Sequence, residues 1–299
     1  MTITASAVDW LLDSDEPGIV FHAKRDLLGE EDPAEASRVL EGPWVRALLA
    51  GQQEDGGFGV HAYGKWSGAH WRLVSLVELG VPAGDPRCVA AAETVLAWLT
   101  GKAHRAGVRT VDGLVRRCAS QEGNALAVCC RLGLAADPRV RLLAESLVGW
   151  QWPDGGWNCD PRATGRRSSF HESLAPAWGL HEYWAATGEP AAKEAADRTA
   201  ELFLDHRLFR RHGTGEPIHP SSSSTTRPTG TTTSCRPSWC SRGWVWAATR
   251  ARPMRSSSST TAASPTVAGA PAGAGGSHRT RRKVTSRSWT GAARVRTRW

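Results

Sequence analysis

Cys118, Cys159 and His171 carry the side chains of this chain best suited to metal chemistry. Thiolate sulfur and imidazole nitrogen are donors that zinc takes in tetrahedral sets, and a catalytic set keeps one position open. Cys118 lies just ahead of an Ala/Leu/Val-rich run beginning at Asn124, and His171 opens another such run within Ser168-Ser169-Phe170-His171. No C-x-x-C or H-x-x-x-H spacing accompanies them, so a packed or hydrogen-bonded role at helix ends stands beside the ligand reading. Carboxylates are less informative: the string Asp13-Ser14-Asp15-Glu16, beside Pro17-Gly18, reads as a solvated helix end. Among the aromatics, Phe170, Leu174 and Trp178 follow helical spacing, which more often marks a core than a ligand contact. His70 stands in a position like that of His171, one helix earlier still, and a hydrogen bond to a neighbouring helix end is its expected role.

These side chains must be placed by helices. Residues 7 to 28 alternate apolar and charged positions at helical spacing, broken at Asp15-Glu16-Pro17-Gly18, and Ser37 to Leu49 reads as a second helix. His70-Trp71 open an apolar helix ending at Leu79-Gly80; Asp85-Pro86 start the next, which runs to Trp98. After a polar loop the cycle recurs: Asn124 to Gly133, then Asp137-Pro138 to Trp150, then Phe170-His171 to Thr187-Gly188, then Ala191 to Arg207. The glycines that end alternate helices are 53 and 55 residues apart (Gly80, Gly133, Gly188), the period of a helical-hairpin repeat. Cys118 and His171 are also 53 residues apart, which places them at the same end of neighbouring helices.

Two copies of one turn punctuate the array. Gln151-Trp152-Pro153-Asp154-Gly155-Gly156-Trp157 follows one apolar helix, and Gln52-Gln53-Glu54-Asp55-Gly56-Gly57-Phe58 lies 99 residues earlier. Paired glycines permit the left-handed backbone of a helix stop, and Asp bonds its own turn. The closing aromatic folds onto the helix end, so Trp152 and Trp157 are read as structural. This heptapeptide resembles the QW-type repeat of squalene–hopene cyclases and the prenyltransferase/squalene oxidase repeat proteins, over about residues 10 to 219. The resemblance implies an all-α fold, an α/α toroid of helical hairpins; the bland counterpart is an open solenoid. It also implies an isoprenoid or other apolar substrate in a central cavity, with Trp66, His70, Trp71, Phe170, Trp178 and Trp184 near the inner ring. In protein prenyltransferase β subunits, zinc is held by Asp, Cys and His at the starts of inner helices. His171 is the closest match to that His, Cys118 a looser match to that Cys, and Cys159 a third candidate. The Asp-rich DxDD acid of the cyclases is absent.

The formal charge of +8 is unevenly held. From Pro220 to Trp299 there are 14 Lys and Arg and no Asp or Glu, leaving 23 basic against 29 acidic residues before it, a net of −6. No basic patch interleaved with aromatics precedes residue 220, so nucleic acid is not an expected partner. No apolar run approaches the roughly 20 residues of a membrane span. The acidic N-terminus does not read as a signal peptide, and seven cysteines without framework spacing suit a reducing cytoplasm.

Residues 220 to 299 change character abruptly to a basic, Ser/Thr/Pro/Gly/Arg-rich tail expected to be disordered. Back-translated into degenerate codons and read one base earlier, the tail admits the lost pattern: TTRPTGTTTSC (Thr225 to Cys235) is compatible with HYPPYWHYDVL, and SPTVAG (Ser264 to Gly269) with LPDGRW, a third turn motif. The tail therefore reads as a frame-shifted closing segment. The expectation is a helical repeat domain over 1–219, an incomplete toroid impaired in activity. The alternative is a non-catalytic repeat scaffold that binds a protein partner.

Overall fold

The computed structural model describes residues 5–30, 32–208, 210, 211 and 213–216; the expectations for the tail, 220–299, lie outside the described residues. Eleven α-helices follow one another through these residues: α1 (Ala5–Leu12), α2 (Pro17–Ala23), α3 (Pro33–Arg38), α4 (Pro43–Leu49), α5 (Ala69–Leu79), α6 (Pro86–Thr100), α7 (Lys102–Arg105), α8 (Ser120–Arg131), α9 (Pro138–Trp150), α10 (Phe170–Thr187) and α11 (Pro190–Asp205). Helix α5 packs on α6, α8 on α9 and α10 on α11, and the first members also pack in series, α5 on α8 and α8 on α10. The second members do likewise, α6 on α9 and α9 on α11. The result is a two-layer array of helical hairpins.

The start and stop signals act locally as their chemistry dictates. Pro86, Pro138 and Pro190 occupy first-turn positions, where a missing N–H leaves no acceptor unpaired. The residues before them cap: Asp85 accepts from the N–H groups of Arg87 and Cys88, Asp137 from Arg139, and Glu189 from Ala191. The same device breaks the helix expected over Ser37 to Leu49. Gly42 is extended (φ −60, ψ 139) ahead of Pro43, so α3, a short 3-10 turn (Val39–Glu41) and α4 replace it. Buried Glu16 then caps α4, its Oε2 accepting from the Trp44 N–H at 3.0 Å.

Helix α8 lies between α5 and α10, and residues Glu122 to Cys129 are buried without interruption. Small residues allow its close approach to α10. A Cβ on Gly123 would sit 2.3 Å from the Pro176 nitrogen, and one on Gly179 would sit 2.5 Å from the Gly123 carbonyl oxygen.

Each turn motif ties one helix of the second layer to the next. Gln151 Nε2 donates to the Gly155 carbonyl (3.0 Å) within its own turn and to the Ala195 carbonyl (2.8 Å) on α11. In the earlier copy Gln52 Nε2 donates to the Gly56 carbonyl (3.0 Å) and to the Arg87 carbonyl (2.8 Å) on α6. Gly155 (φ 94) could not be replaced, since a Cβ there would lie 2.6 Å from the Arg198 carbonyl oxygen. Trp157 is 1% exposed and its Nε1 donates to the Leu147 carbonyl at the end of α9. Gln151→Ala frees buried acceptors on two elements, and its expected cost is about 1–3 kcal/mol in chemical unfolding. A cost near zero would show that the Gln staple contributes nothing.

Between α6 and α9 no such turn occurs; the chain instead makes α7 and a β-hairpin, β1 (Arg109–Val111) antiparallel to β2 (Leu114–Arg116). Asp112-Gly113, both at positive φ, form its two-residue turn, which matches the twist of the strands. Trp152 holds the hairpin down. Its Nε1 donates to the Val115 carbonyl (2.8 Å) and its ring lies 4.4 Å from the Arg116 guanidinium. Both tryptophans of the second motif are therefore structural, as their positions suggest.

Candidate functional site

Strand β2 extends its pairing beyond the hairpin. Arg116 bridges Asn158 in parallel, and the Arg117 N–H donates to the Asn158 carbonyl (3.2 Å). Asn158 follows directly on Trp157, so the register sets Cys118, two residues past Arg116, beside Cys159. Helix α10 supplies the third group. Glu172, in its first turn, accepts from the Ser120 N–H at 3.1 Å and so caps α8, which has no side-chain cap of its own. One Sγ from each cysteine and a Glu172 carboxylate oxygen all lie within 4.8 Å of one another.

The three groups act on one another. Cys159 Sγ donates to Glu172 Oε1 at 3.7 Å. A hydrogen bond from the Cys118 thiol pulls Cys159 below its ordinary value, against burial and the Glu172 carboxylate. Cys118 is pushed up by the same hydrogen bond, then by burial and by Glu172. Cys159 is exposed and Cys118 half-buried, so the cluster opens to solvent on the Cys159 side. Other cysteines differ: Cys88 and Cys129 are buried, and burial pushes both thiols up to about 12.

Of the three ligands expected from sequence, the fold brings together Cys118 and Cys159 but not His171. His171 is exposed, and its neighbour Glu172 takes the third place. It is Glu172, in the first turn of α10, that reaches the Ser120 amide.

Aromatic rings gather around Tyr63. Tyr63 lies 5.3 Å from the rings of His70 and Trp98 and 5.7 Å from Trp71, and Trp66 lies 4.9 Å from Trp71. Burial raises the pKa of the Tyr63 hydroxyl, a hydrogen bond with Gln121 opposes this, and the charges of Cys118 and Glu172 add to the rise. Trp66 is 55% exposed and holds a left-handed backbone (φ 67), a strained conformation for a bulky residue. Phe170 and Trp178 lie elsewhere. Phe170 packs edge-on against Phe203 (4.9 Å) of α11, and buried Trp178 donates to Glu182 (2.9 Å). Trp184 lies beneath Lys193 of α11, 5.3 Å from its ammonium.

His70 departs from the expected hydrogen bond. It is 2% exposed, neither ring nitrogen has a partner, and Tyr63, Trp71 and Trp98 surround it. Desolvation lowers its pKa to about 4, so the folded chain holds it neutral. The unfolded chain takes up a proton near its ordinary value of 6.5. Stability attributable to this group is therefore full above pH 6.5 and falls as pH drops towards 4, by a total of about 3 kcal/mol. The His70→Phe variant should lose that dependence in urea unfolding followed across this range; an unchanged dependence would assign it to other groups.

Tyr63 and Glu172 were not among the candidates expected from sequence. Tyr63 sits in a loop without periodicity, and an acid in a first helical turn reads as a partner of the helix dipole. Comparison of this chain with protein-family models, curated proteins and solved structures gives no match.

Proposed function

We propose that this chain is a prenyltransferase- and cyclase-like helical repeat protein that holds zinc through Cys118, Cys159 and Glu172 beside an aromatic surface for an isoprenoid-like ligand. The observation that carries this reading is the convergence of two thiols and a carboxylate from three separate segments within 4.8 Å. Two thiolates and one carboxylate suit a borderline-soft cation, and three protein donors leave the fourth position of a tetrahedron for a reactant. Zinc bound there would supply Lewis acidity to a substrate thiol, hydroxyl or water. Tyr63, whose hydroxyl feels the charges of Cys118 and Glu172 and whose ring lies near Trp71, supports placing the ligand on the Trp66–Trp71 surface. The helical-hairpin array supports the toroid reading, in which these groups share one rim of the inner ring.

The second reading is a non-catalytic repeat scaffold that binds a protein partner. The interior between α5, α6 and α8, bounded by His70, Leu73, Ala92, Val95, Ala125, Val128 and Cys129, has no room for a water molecule. An apolar ligand would therefore occupy the rim rather than that interior. Titration of the zinc-loaded protein with farnesol, read by tryptophan fluorescence, tests the function. The expected result is saturable quenching that Trp66→Ala weakens about ten-fold. Linear, variant-independent quenching would remove the ligand-binding reading and leave the scaffold.

A further inference from the structure

We propose that Cys118 and Cys159 are a thiol pair that hydroperoxides oxidise to a reversible intramolecular disulfide. The proposal rests on geometry. Their Sγ atoms lie within 4.8 Å, and the β2–Asn158 pairing fixes the segments that carry them side by side. Disulfide exchange and closure need a reactive thiol open to solvent and a second thiol within reach. Cys159 is exposed and Cys118 stands behind it, half-buried. Among the described cysteines this arrangement is confined to these two, because Cys88 and Cys129 are enclosed in the core and Cys130 is half-buried beside Cys129.

The chemistry closes with one equivalent of oxidant. The Cys159 thiolate attacks one peroxide oxygen, the O–O bond breaks, and Cys159 becomes a sulfenic acid while hydroxide leaves. The Cys118 sulfur then attacks the Cys159 sulfur, the S–OH bond breaks, and water leaves with the Cys118 proton. The two thiols lose two electrons and the peroxide gains them. The disulfide uses both sulfur donors of the cluster, so it and a bound zinc ion exclude each other; this last consequence rests on the zinc reading above, whereas the disulfide does not.

The test uses the full chain, metal-free and zinc-loaded in parallel, treated with one equivalent of hydrogen peroxide and digested without reduction. Mass spectrometry of the metal-free sample should show the Cys118 and Cys159 peptides linked, with the link reversed by dithiothreitol. In Cys118→Ser the same treatment should leave Cys159 as sulfenic acid, trapped by dimedone, which verifies the order of events in a variant that keeps the exposed thiol. Oxidation of Cys159 to sulfinic acid without a link, or a link to a different cysteine, would overturn the proposal. In the zinc-loaded sample a chromogenic chelator should register one zinc released per disulfide formed. Disulfide formation without zinc release would sink the zinc reading and leave the thiol pair standing.

Discussion

Replacing Trp157 with Ala is expected to destabilise the fold by about 3–5 kcal/mol, the range for deleting a large aromatic from a core. That is a large part of the roughly 5–15 kcal/mol that holds a domain folded. Trp157 closes the second turn motif at 1% exposure, and its indole Nε1 satisfies the Leu147 carbonyl at the end of α9. Its backbone N–H meets Ser173 Oγ (3.0 Å) and its carbonyl accepts from Ser169 (2.8 Å), so the same residue also seats the start of α10. Trp157→Phe keeps most of the apolar volume and loses the indole donor, and should cost about 1–2 kcal/mol. Urea unfolding midpoints of the two variants separate the terms. A Trp157→Ala cost below about 1 kcal/mol would mean that this turn does not organise the array.

The second large effect concerns metal affinity. Cys159→Ser should weaken zinc binding about a hundred-fold or more, because a neutral hydroxyl replaces a thiolate donor. Glu172→Gln should weaken it about ten- to a hundred-fold while its amide oxygen keeps the hydrogen bond from Ser120. His171→Ala should leave affinity unchanged, since that exposed side chain lies outside the cluster. Competition with a chromogenic chelator measures all three on one scale. An effect of His171→Ala as large as that of Cys159→Ser would restore the ligand set expected from sequence.

Those variants also mark what the chain discloses unaided. Helix stops at Gly80, Gly133 and Gly188 and the Asp-Pro starts at 85 and 137 were readable because capping and proline chemistry act within a few residues. The array of paired helices follows from them. The hairpin at 109–116 carried one signal in the sequence, the Asp112-Gly113 turn, but its two three-residue strands leave little periodicity and depend on Trp152 for their seat. Without the hairpin, nothing in the sequence joins Cys118 to Asn158, so the pairing with Cys159 arises from tertiary register rather than repeat period. The period correctly set Cys118 and the start of α10 at one end of adjacent helices. It could not choose between His171 and Glu172, a choice that turns on which of two successive side chains faces α8.

The most direct test of this account is the zinc content of the purified chain after loading and exhaustive buffer exchange, measured by plasma emission spectrometry. One zinc per chain, falling to a small fraction in the Cys118→Ser/Cys159→Ser double variant, is the predicted result. No retained zinc in the wild-type chain, or equal retention in the double variant, would contradict the metal centre and with it the proposed function.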